Sequence, residues 1–473
     1  MEVIFAGLRQ SGRFDLEAFE MRIRAAAHQM GAKVLQQLLQ APERFERERP
    51  CGCGQKARFH QIRPRRLLTA VGAVRFERPY YLCPSCHQGQ SPRDEQLDVV
   101  DTECSPGVRR MMALVGSNGS FAQGREQLEA LAGLQVTTKA VERHAEAIGG
   151  DIAAGEQAER QRALQLELPT VRGPEIPVLY IEMDGTGVPM VTAETEGRVG
   201  KIAGERARTR EAKLGCVFTQ SGVDGKGRPV RDQASTTYSG AIETAEEFGV
   251  RLYHEAWQRG WCRAKRKVVL GDGAPWIWNL ADYHFPGATQ IVDLYHARQH
   301  LWELAAKLYP ADSKQRKTWA CKLQRKLDAG QIESLVAELG RFPTSDRKVE
   351  EQIRIEVEYF LHNAHRMRYP TFRKQHLFIG SGVIEAGCKT IIGSRLKQSG
   401  MFWTLRGANA ILALRANRLS GRFEQYWENR VRAASSPQLC RAPTSGAVGH
   451  FIQCGIRRWC NVDSYPYFYV RRA

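Results

Sequence analysis

The sequence predicts a multidomain α+β or α/β protein. Its core is a mixed sheet interrupted by an α-helical insertion, with a small metal-stapled β-ribbon and a helical region in front. Three observations predict this. Two apolar, β-branched runs each lead to an aspartate before glycine: Val178–Val188 (VLYIEMDGTGV) with Asp184, and the run from Lys267 (KVVLGDGAP) with Asp272. Further strands at Val188–Thr192 and Ala212–Gln220, then an amphipathic helix over Ala241–Gly260, lie between them. Leu301–Tyr369 is helical in pattern and highly charged, broken at Pro310 and Pro343 and closed by Pro370. Strand, hairpins, helix, strand is the order of a ribonuclease-H-like core. In it the first and fourth strands are neighbours and can bring two carboxylates together.

A chain of 473 residues with 42% hydrophobic content has material for several cores, at the usual domain size of about 100–200 residues. It carries 69 Lys and Arg against 51 Asp and Glu, a formal charge of +18. Such a balance favours a polyanion as partner, most simply nucleic acid, through release of counterions from phosphates. The first residues lack a long apolar segment, and no stretch has the ~18 consecutive apolar residues of a membrane span. The expectation is a soluble, non-secreted, cytoplasmic chain that makes no membrane contact. Its twelve cysteines then read as thiols or metal ligands rather than disulfides.

In chain order, residues 1–50 hold an amphipathic helix over Asp15–Gln40. Leu16, Phe19, Ile23, Ala27, Met30, Val34 and Leu38 recur at helical spacing, suited to a neighbouring element or a second copy. Residues 51–100 form the β-ribbon, with short strands at Ala57–Ile62, Leu67–Val71 and Val74–Leu82. Cys51 and Cys53 precede these strands, and Cys83 and Cys86 follow them. Two cysteine pairs at the ends of a ribbon fit a tetrahedral structural zinc site, although the single residue between Cys51 and Cys53 is a tight spacing. Residues 101–165 read as three short helices over Ser105–Ile148, followed by a polar, alternately charged helical linker over Gly150–Pro169. Helix, tight turn, helix is compatible with helix-turn-helix, which would aim Lys139, Arg143 and His144 at DNA. Residues 166–300 hold the first part of the core, 301–372 the insertion, and 373–432 the last core helices. Residues 433–473 form an atypical tail with an aromatic run at Tyr465–Tyr469.

A third acid, Glu385, lies in GSGVIEAGCKTIIGSR from Gly380, which reads as a helix begun after Gly and Ser. Two strand-end aspartates and a helical glutamate can build a compact phosphoryl-transfer site. Hard oxygen ligands suit Mg²⁺ or Mn²⁺, and two such ions can stabilise both the attacking and the leaving oxygen. Asp-Gly is also a common turn dipeptide, so neither aspartate alone identifies a site.

Together, EMDGTGVPM at 182–190, VVLGDGAPWIWN ending at Asn279, DLYHARQH at 293–300 and GSGVIEAGCKTIIGSRLKQSGMFWT ending at Thr404 resemble the DDE transposases of bacterial insertion sequences. The resemblance is to the Mutator-like branch, nearest the ISKra-type elements. It implies a triad at Asp184, Asp272 and Glu385 that binds two Mg²⁺ (or Mn²⁺) ions, and an Asp-x-x-His element at Asp293 and His296. It also implies double-stranded DNA partners, namely transposon terminal inverted repeats and target DNA, and a homo-oligomer acting at the nucleoid. Basic residues at Arg206, Arg208, Arg210, Arg395 and Lys397 are candidates for phosphate contact. The 113-residue interval between 272 and 385 agrees with a helical insertion, whereas the tail beyond 432 departs from the family pattern. A ribonuclease-H-like nuclease or resolvase, or a non-catalytic DNA-binding relative, would carry many of the same features.

Overall fold

The structure, a computed structural model, describes residues 15–40, 45–165, 171–200 and 206–435, the side chains of 431–435 excepted. The expected tail lies outside the described residues from 436 onward. Mixed α+β architecture is what the chain adopts, with two principal sheets and many helices.

Helix α1 (Leu16–Leu39) starts where the Asp15 carboxylate accepts the Ala18 amide at 3.1 Å. It lays Ala32, Leu35 and Leu39 on a small apolar cluster of the ribbon formed by Leu67, Val74, Phe76 and Val99. The ribbon is an antiparallel sheet of β1 (Glu48–Pro50), β2 (Lys56–Thr69), β3 (Gly72–Leu82) and β4 (Gly89–Gln90), paired in that order. The two strands expected at 57–62 and 67–71 are one strand of 14 residues. Its register slips between Phe59 and Gln61, and that irregularity bends the strand without ending it.

Helices α2 (Pro106–Asn118), α3 (Phe121–Ala132) and α4 (Thr138–Leu164) follow. Ser120 and Gln123 make the expected reciprocal capping box, and Gly133 ends α3 at φ +65°. The third helix is not short: the polar segment from Gly150 is the second half of α4, which continues to Leu164. Its buried face, with Ala145, Ile148 and Ile152, joins the same apolar core as the central sheet. A Cβ at Gly149 would come within 2.0 Å of the Ala410 carbonyl oxygen on the helix Leu405–Leu419, so this crossing requires glycine.

The central sheet contains β5 (Ile176–Pro189), β6 (Thr209–Gln220), β9 (Thr237–Ala241), β10 (Ala264–Gly271) and β11 (Thr289–Val292). A small hairpin, β7 (Gly222–Val223) and β8 (Pro229–Val230), hangs off β6. Strand order is β11-β10-β5-β6-β9. The pairs β5–β6 and β6–β9 are antiparallel, while β10 runs parallel to β5 and β11 parallel to β10. Helix α5 (Ala245–Gln258) carries the chain from β9 across the sheet to β10, and α6 (Pro275–His284) connects the parallel neighbours β10 and β11. The separate strand expected at 188–192 does not form: Val188 and Pro189 end β5, Met190 makes a lone bridge to Trp403, and Thr192–Thr195 is a 3-10 turn.

Four helices then form the insertion: α7 (Leu294–Leu308), α8 (Ser313–Asp328), α9 (Ile332–Gly340) and α10 (Arg347–His362). The chain returns across the sheet as α11 (Gly382–Gly387), which runs on through a π-helical stretch at Cys388–Gly393. Helices α12 (Leu405–Leu419) and α13 (Phe423–Ser435) complete the described fold.

Candidate catalytic site and metal centre

Asp184 lies inside β5, opposite Leu214 of β6, and not in a turn after the strand. The glycines that suggested a turn serve the strand pairing instead. A Cβ at Gly185 would come within 2.7 Å of Glu211, and one at Gly187 within 3.0 Å of Thr209. In the parallel pair, Leu270 of β10 is opposite Glu182 of β5, so two residues further along Asp272 draws level with Asp184. Just past β10 the Asp272 carboxylate accepts the Ala274 amide at 2.9 Å, closing a tight turn through Gly273 at φ +102°. The Tyr359 hydroxyl of α10 donates to the Asp272 carbonyl at 3.1 Å, so the insertion grips this turn directly.

Tyr180, Glu182 and Asp184 alternate along β5 and therefore share one face. The returning chain from Leu377 to Cys388 covers that face step by step. The Phe378 amide donates to the Tyr180 hydroxyl at 3.2 Å, and the Ile384 amide donates to Glu182 Oε2 at 2.8 Å. The Cys388 thiol lies beside the Asp184 carboxylate. Glu385, exposed, belongs to the turn between the last two contacts.

The electrostatics follow from this arrangement. Burial raises the pKa of Asp184, and the charge of Asp272 adds to the rise. The Cys388 thiol, the Gly185 amide at 2.6 Å and His296 pull it the other way. Burial, then the carboxylates of Asp184 and Glu385, hold Cys388 well above the usual thiol range. Asp184 thus senses Asp272 and His296, and Cys388 senses Asp184 and Glu385. The carboxylate oxygens are not packed as one tight group: among the described residues, four cysteines alone gather three or more such donors within 4.8 Å.

Asp293 has a different part from the one its motif suggested. It is fully buried, and all its hydrogen bonds are structural. One oxygen accepts the Tyr295 and His296 amides at 2.5 and 3.0 Å; the other accepts the Ser381 amide at 2.6 Å and the Ser381 hydroxyl. It caps α7 and ties the start of α11 to it, so it cannot face a substrate. His296 is half-buried, with its ring edge-on to His300 at 5.0 Å. His300 stacks on Tyr359 at 4.0 Å and hydrogen-bonds Glu356 at 2.8 Å.

Arg395 is a clear correction. Its side chain is fully buried, with Nε donating to the Gly116 carbonyl at 2.9 Å and the guanidinium over the rings of Phe121 and Trp403. It joins the N-terminal helices to the core and is closed to DNA. Sequence could not reveal this, because a cation on a helix gives no sign of which neighbour will cover it. Lys397, by contrast, is exposed and donates to the Thr186 hydroxyl. Lys139 is exposed and pairs with Glu142 at 2.6 Å; Arg143 is exposed on the same helix. Arg206 and Arg208 are exposed, Arg206 donating to the Thr192 carbonyl at 2.6 Å, whereas Arg210 is half-buried 3.8 Å from Glu194.

Sequence reasoning missed Glu182, Ser381, Cys388 and Tyr359. Glu182 left a signal: an acid inside an apolar run, two residues before Asp184 and so on its face. Burial raises its pKa to about 8, against the opposing pull of the Ile384 amide.

At the ribbon, Cys51, Cys53, Cys83 and Cys86 bring their sulfurs within 4.8 Å of one another. Cys51 and Cys86 are 3.5 Å apart and Cys53 and Cys83 3.6 Å, close to the ~3.8 Å edge of a tetrahedron with ~2.3 Å zinc–sulfur bonds. The tight first pair is possible because Gly54, at φ +82°, folds its amide back onto the Cys51 carbonyl at 2.9 Å. The Cys86 and Ser85 amides hold the Cys83 thiol down to about 6, the acidity a thiolate ligand needs. The cluster is compatible with structural zinc.

A family model described as "Uncharacterised protein family (UPF0236)" matches residues 9–227. No curated protein matches. A solved structure titled "Drosophila P element transposase strand transfer complex" is similar at a TM-score of 0.23 and 7% identity. That alignment covers 68% of this chain and 80% of the other, and at so low a score it carries no argument about fold.

Proposed function

We propose that the chain is an insertion-sequence transposase of the Mutator-like, ISKra-type branch, a DDE enzyme with a ribonuclease-H-like core. It binds transposon ends as double-stranded DNA, then cleaves DNA and joins the freed end to target DNA. The observation that carries the reading is electrostatic and geometric. The carboxylates of Asp184 on β5 and Asp272 at the end of β10 face one another, with His296 beside Asp184, and Glu385 of α11 acts on the Cys388 thiol that meets Asp184. Unneutralised acids so arranged repel, and a site built this way makes physical sense as a receptor for cations. The strand order β11-β10-β5-β6-β9, three antiparallel strands flanked by two parallel ones, supports the same reading.

Asp184, Asp272 and Glu385 offer the hard oxygen set that suits Mg²⁺ or Mn²⁺, and ions held there would stabilise charge on the attacking and leaving oxygens. The protein's own contribution is placement. Cys388 and the Gly185 amide orient Asp184, the Ala274 turn orients Asp272, and Glu182 with Asp293 fixes the start of the helix that bears Glu385. His296, at the rim, can donate to a phosphate oxygen. Exposed Lys397 on one side, and Lys139, Arg143, Arg206 and Arg208 further out, serve phosphate contact.

The test is a cleavage and joining assay with DNA carrying the element's own ends. Cut ends and joined products should form with Mg²⁺ or Mn²⁺ and vanish in their absence. Cleavage without joining would favour a nuclease; binding without cleavage would leave only a DNA-binding protein.

A further inference from the structure

We infer that the outward face of α1 is a self-association surface, on which a second copy of this chain lays its own α1 antiparallel. The helix has two apolar faces. One, with Ala32, Leu35 and Leu39, rests on the ribbon. The other carries Leu16, Ile23, Ala27, Met30, Val34 and Leu38, and nothing among the described residues covers it. Leu16 is 58% exposed, Ile23 56%, Met30 66%, Val34 50% and Leu38 66%. Spacings of 7, 4, 3, 4 and 4 keep these six within one narrow stripe along the helix. That is the pattern of a helix–helix seam, and 24 residues give it a length of ~36 Å.

The anchoring of α1 makes the stripe a rigid platform. On its inner side the Arg24 guanidinium donates to the Ala130 and Leu131 carbonyls at 3.2 and 3.3 Å. Gln40 Nε2 donates to the Arg75 carbonyl, and the Gln36 side-chain Oε1 accepts the Arg75 amide, both at 3.3 Å. The helix therefore cannot roll to hide the stripe without breaking these contacts.

Area and charge point to a second copy as the occupant. Five large side chains at this exposure present roughly 500 Å² per chain, so a symmetric pair would bury about 1,000 Å², the lower bound for a stable interface. Charge is polarised along α1: Asp15, Glu17 and Glu20 mark its start, while Arg22, Arg24 and Lys33 follow with no acid among them. Two antiparallel copies set each acidic end over the other's basic half and oppose their helix dipoles. A parallel pair would stack like on like. Centred on the stripe, Ala27 faces its own counterpart at the twofold axis, where a small residue permits close approach.

The full chain should run as a dimer in light scattering after size exclusion. The double variant Ile23→Glu, Met30→Glu should be monomeric, with self-association weakened at least ~100-fold and zinc content and far-ultraviolet circular dichroism unchanged, since both positions are exposed in the single copy. As an independent measurement, Ala27→Cys in the otherwise natural chain should give an interchain disulfide on mild oxidation that the unsubstituted chain does not, and Leu16→Cys should not. A monomeric natural chain, or a double variant that still dimerises, overturns the interface. Cross-linking through Leu16→Cys and not through Ala27→Cys overturns the antiparallel arrangement.

Discussion

Glu182 decides how firmly α11 is held. Its carboxyl accepts the Ile384 amide, its other oxygen has no partner, and burial raises its pKa to about 8. A raised carboxyl pKa contributes stability that is fully present below the unfolded value of ~4.5 and is lost as pH rises through the folded value. Glu182→Gln keeps an acceptor for Ile384 and removes the titration. The variant should therefore lose less stability than the natural chain between pH 5 and 8, by on the order of a few kcal/mol, measured as the shift in urea midpoint. Equal pH dependence in the two proteins would show that Glu182 does not titrate in this window. Arg395 is a structural contact between the N-terminal helices and the core. Arg395→Ala leaves the Gly116 carbonyl without its donor and a gap between Phe121 and Trp403, so it should destabilise by about 3 kcal/mol or more. Arg395→Lys should not restore the loss, because an ammonium neither stacks nor donates from Nε. A DNA-contacting residue would behave oppositely, with weaker binding at unchanged stability.

Among the elements, the ribbon is the one whose own apolar clusters are smallest, four buried residues in each. Its cysteine end should depend on metal. Purified chain should hold one zinc ion, and Cys83→Ser should lose it and expose the amides of β1 to β4 to rapid hydrogen exchange, while amides of the central sheet stay protected. Stoichiometric zinc in Cys83→Ser would contradict that assignment. Helix α4 behaves differently: its Gly149 crossing on α12 ties it to the core, so Gly149→Ala should cost about 1–3 kcal/mol. For the same reason a fragment ending at 165 would expose Ala145, Ile148 and Ile152, and DNA binding is better tested in the whole chain.

The sequence-to-structure comparison is clearest at this level. Strands β5 and β10, the insertion helices and the cysteine pairs were legible, because alternation, β-branching, proline breaks and pair spacing are local signals. Three features were not. Gly150–Leu164 reads as a separate helical linker, since its charges do not show that it continues the helix before it, which packs on the core through one glycine. Asp184 looked like a turn residue because glycines serving close strand pairing resemble glycines serving a turn. Asp293 looked like a site residue because its motif shows an acid before a helix and cannot show Ser381, 88 residues away, filling its second oxygen.

In the molecule as a whole, the four-cysteine ribbon, the helical region and the central sheet form a chain of contacts. α1 packs on the ribbon, α2 to α4 pack on the core, and α10 and α11 close over the two ends of the acidic face. Within the described residues no helix is long and apolar enough to cross a membrane, and the formal charge of +18 suits a polyanionic partner. Affinity for duplex DNA should accordingly fall steeply with salt, a linear log–log dependence whose slope counts the phosphates neutralised.

A shared role for Asp184, Asp272 and Glu385 in holding metal is the core of the proposed function. It is tested most directly by comparing Asp184→Ala, Asp272→Ala and Glu385→Ala with the natural chain in a single joining reaction, with DNA binding measured in parallel. Each substitution should reduce cleavage and joining by at least ~10³-fold while affinity for the transposon ends changes little. Joined product from Asp184→Ala at the natural rate would contradict it.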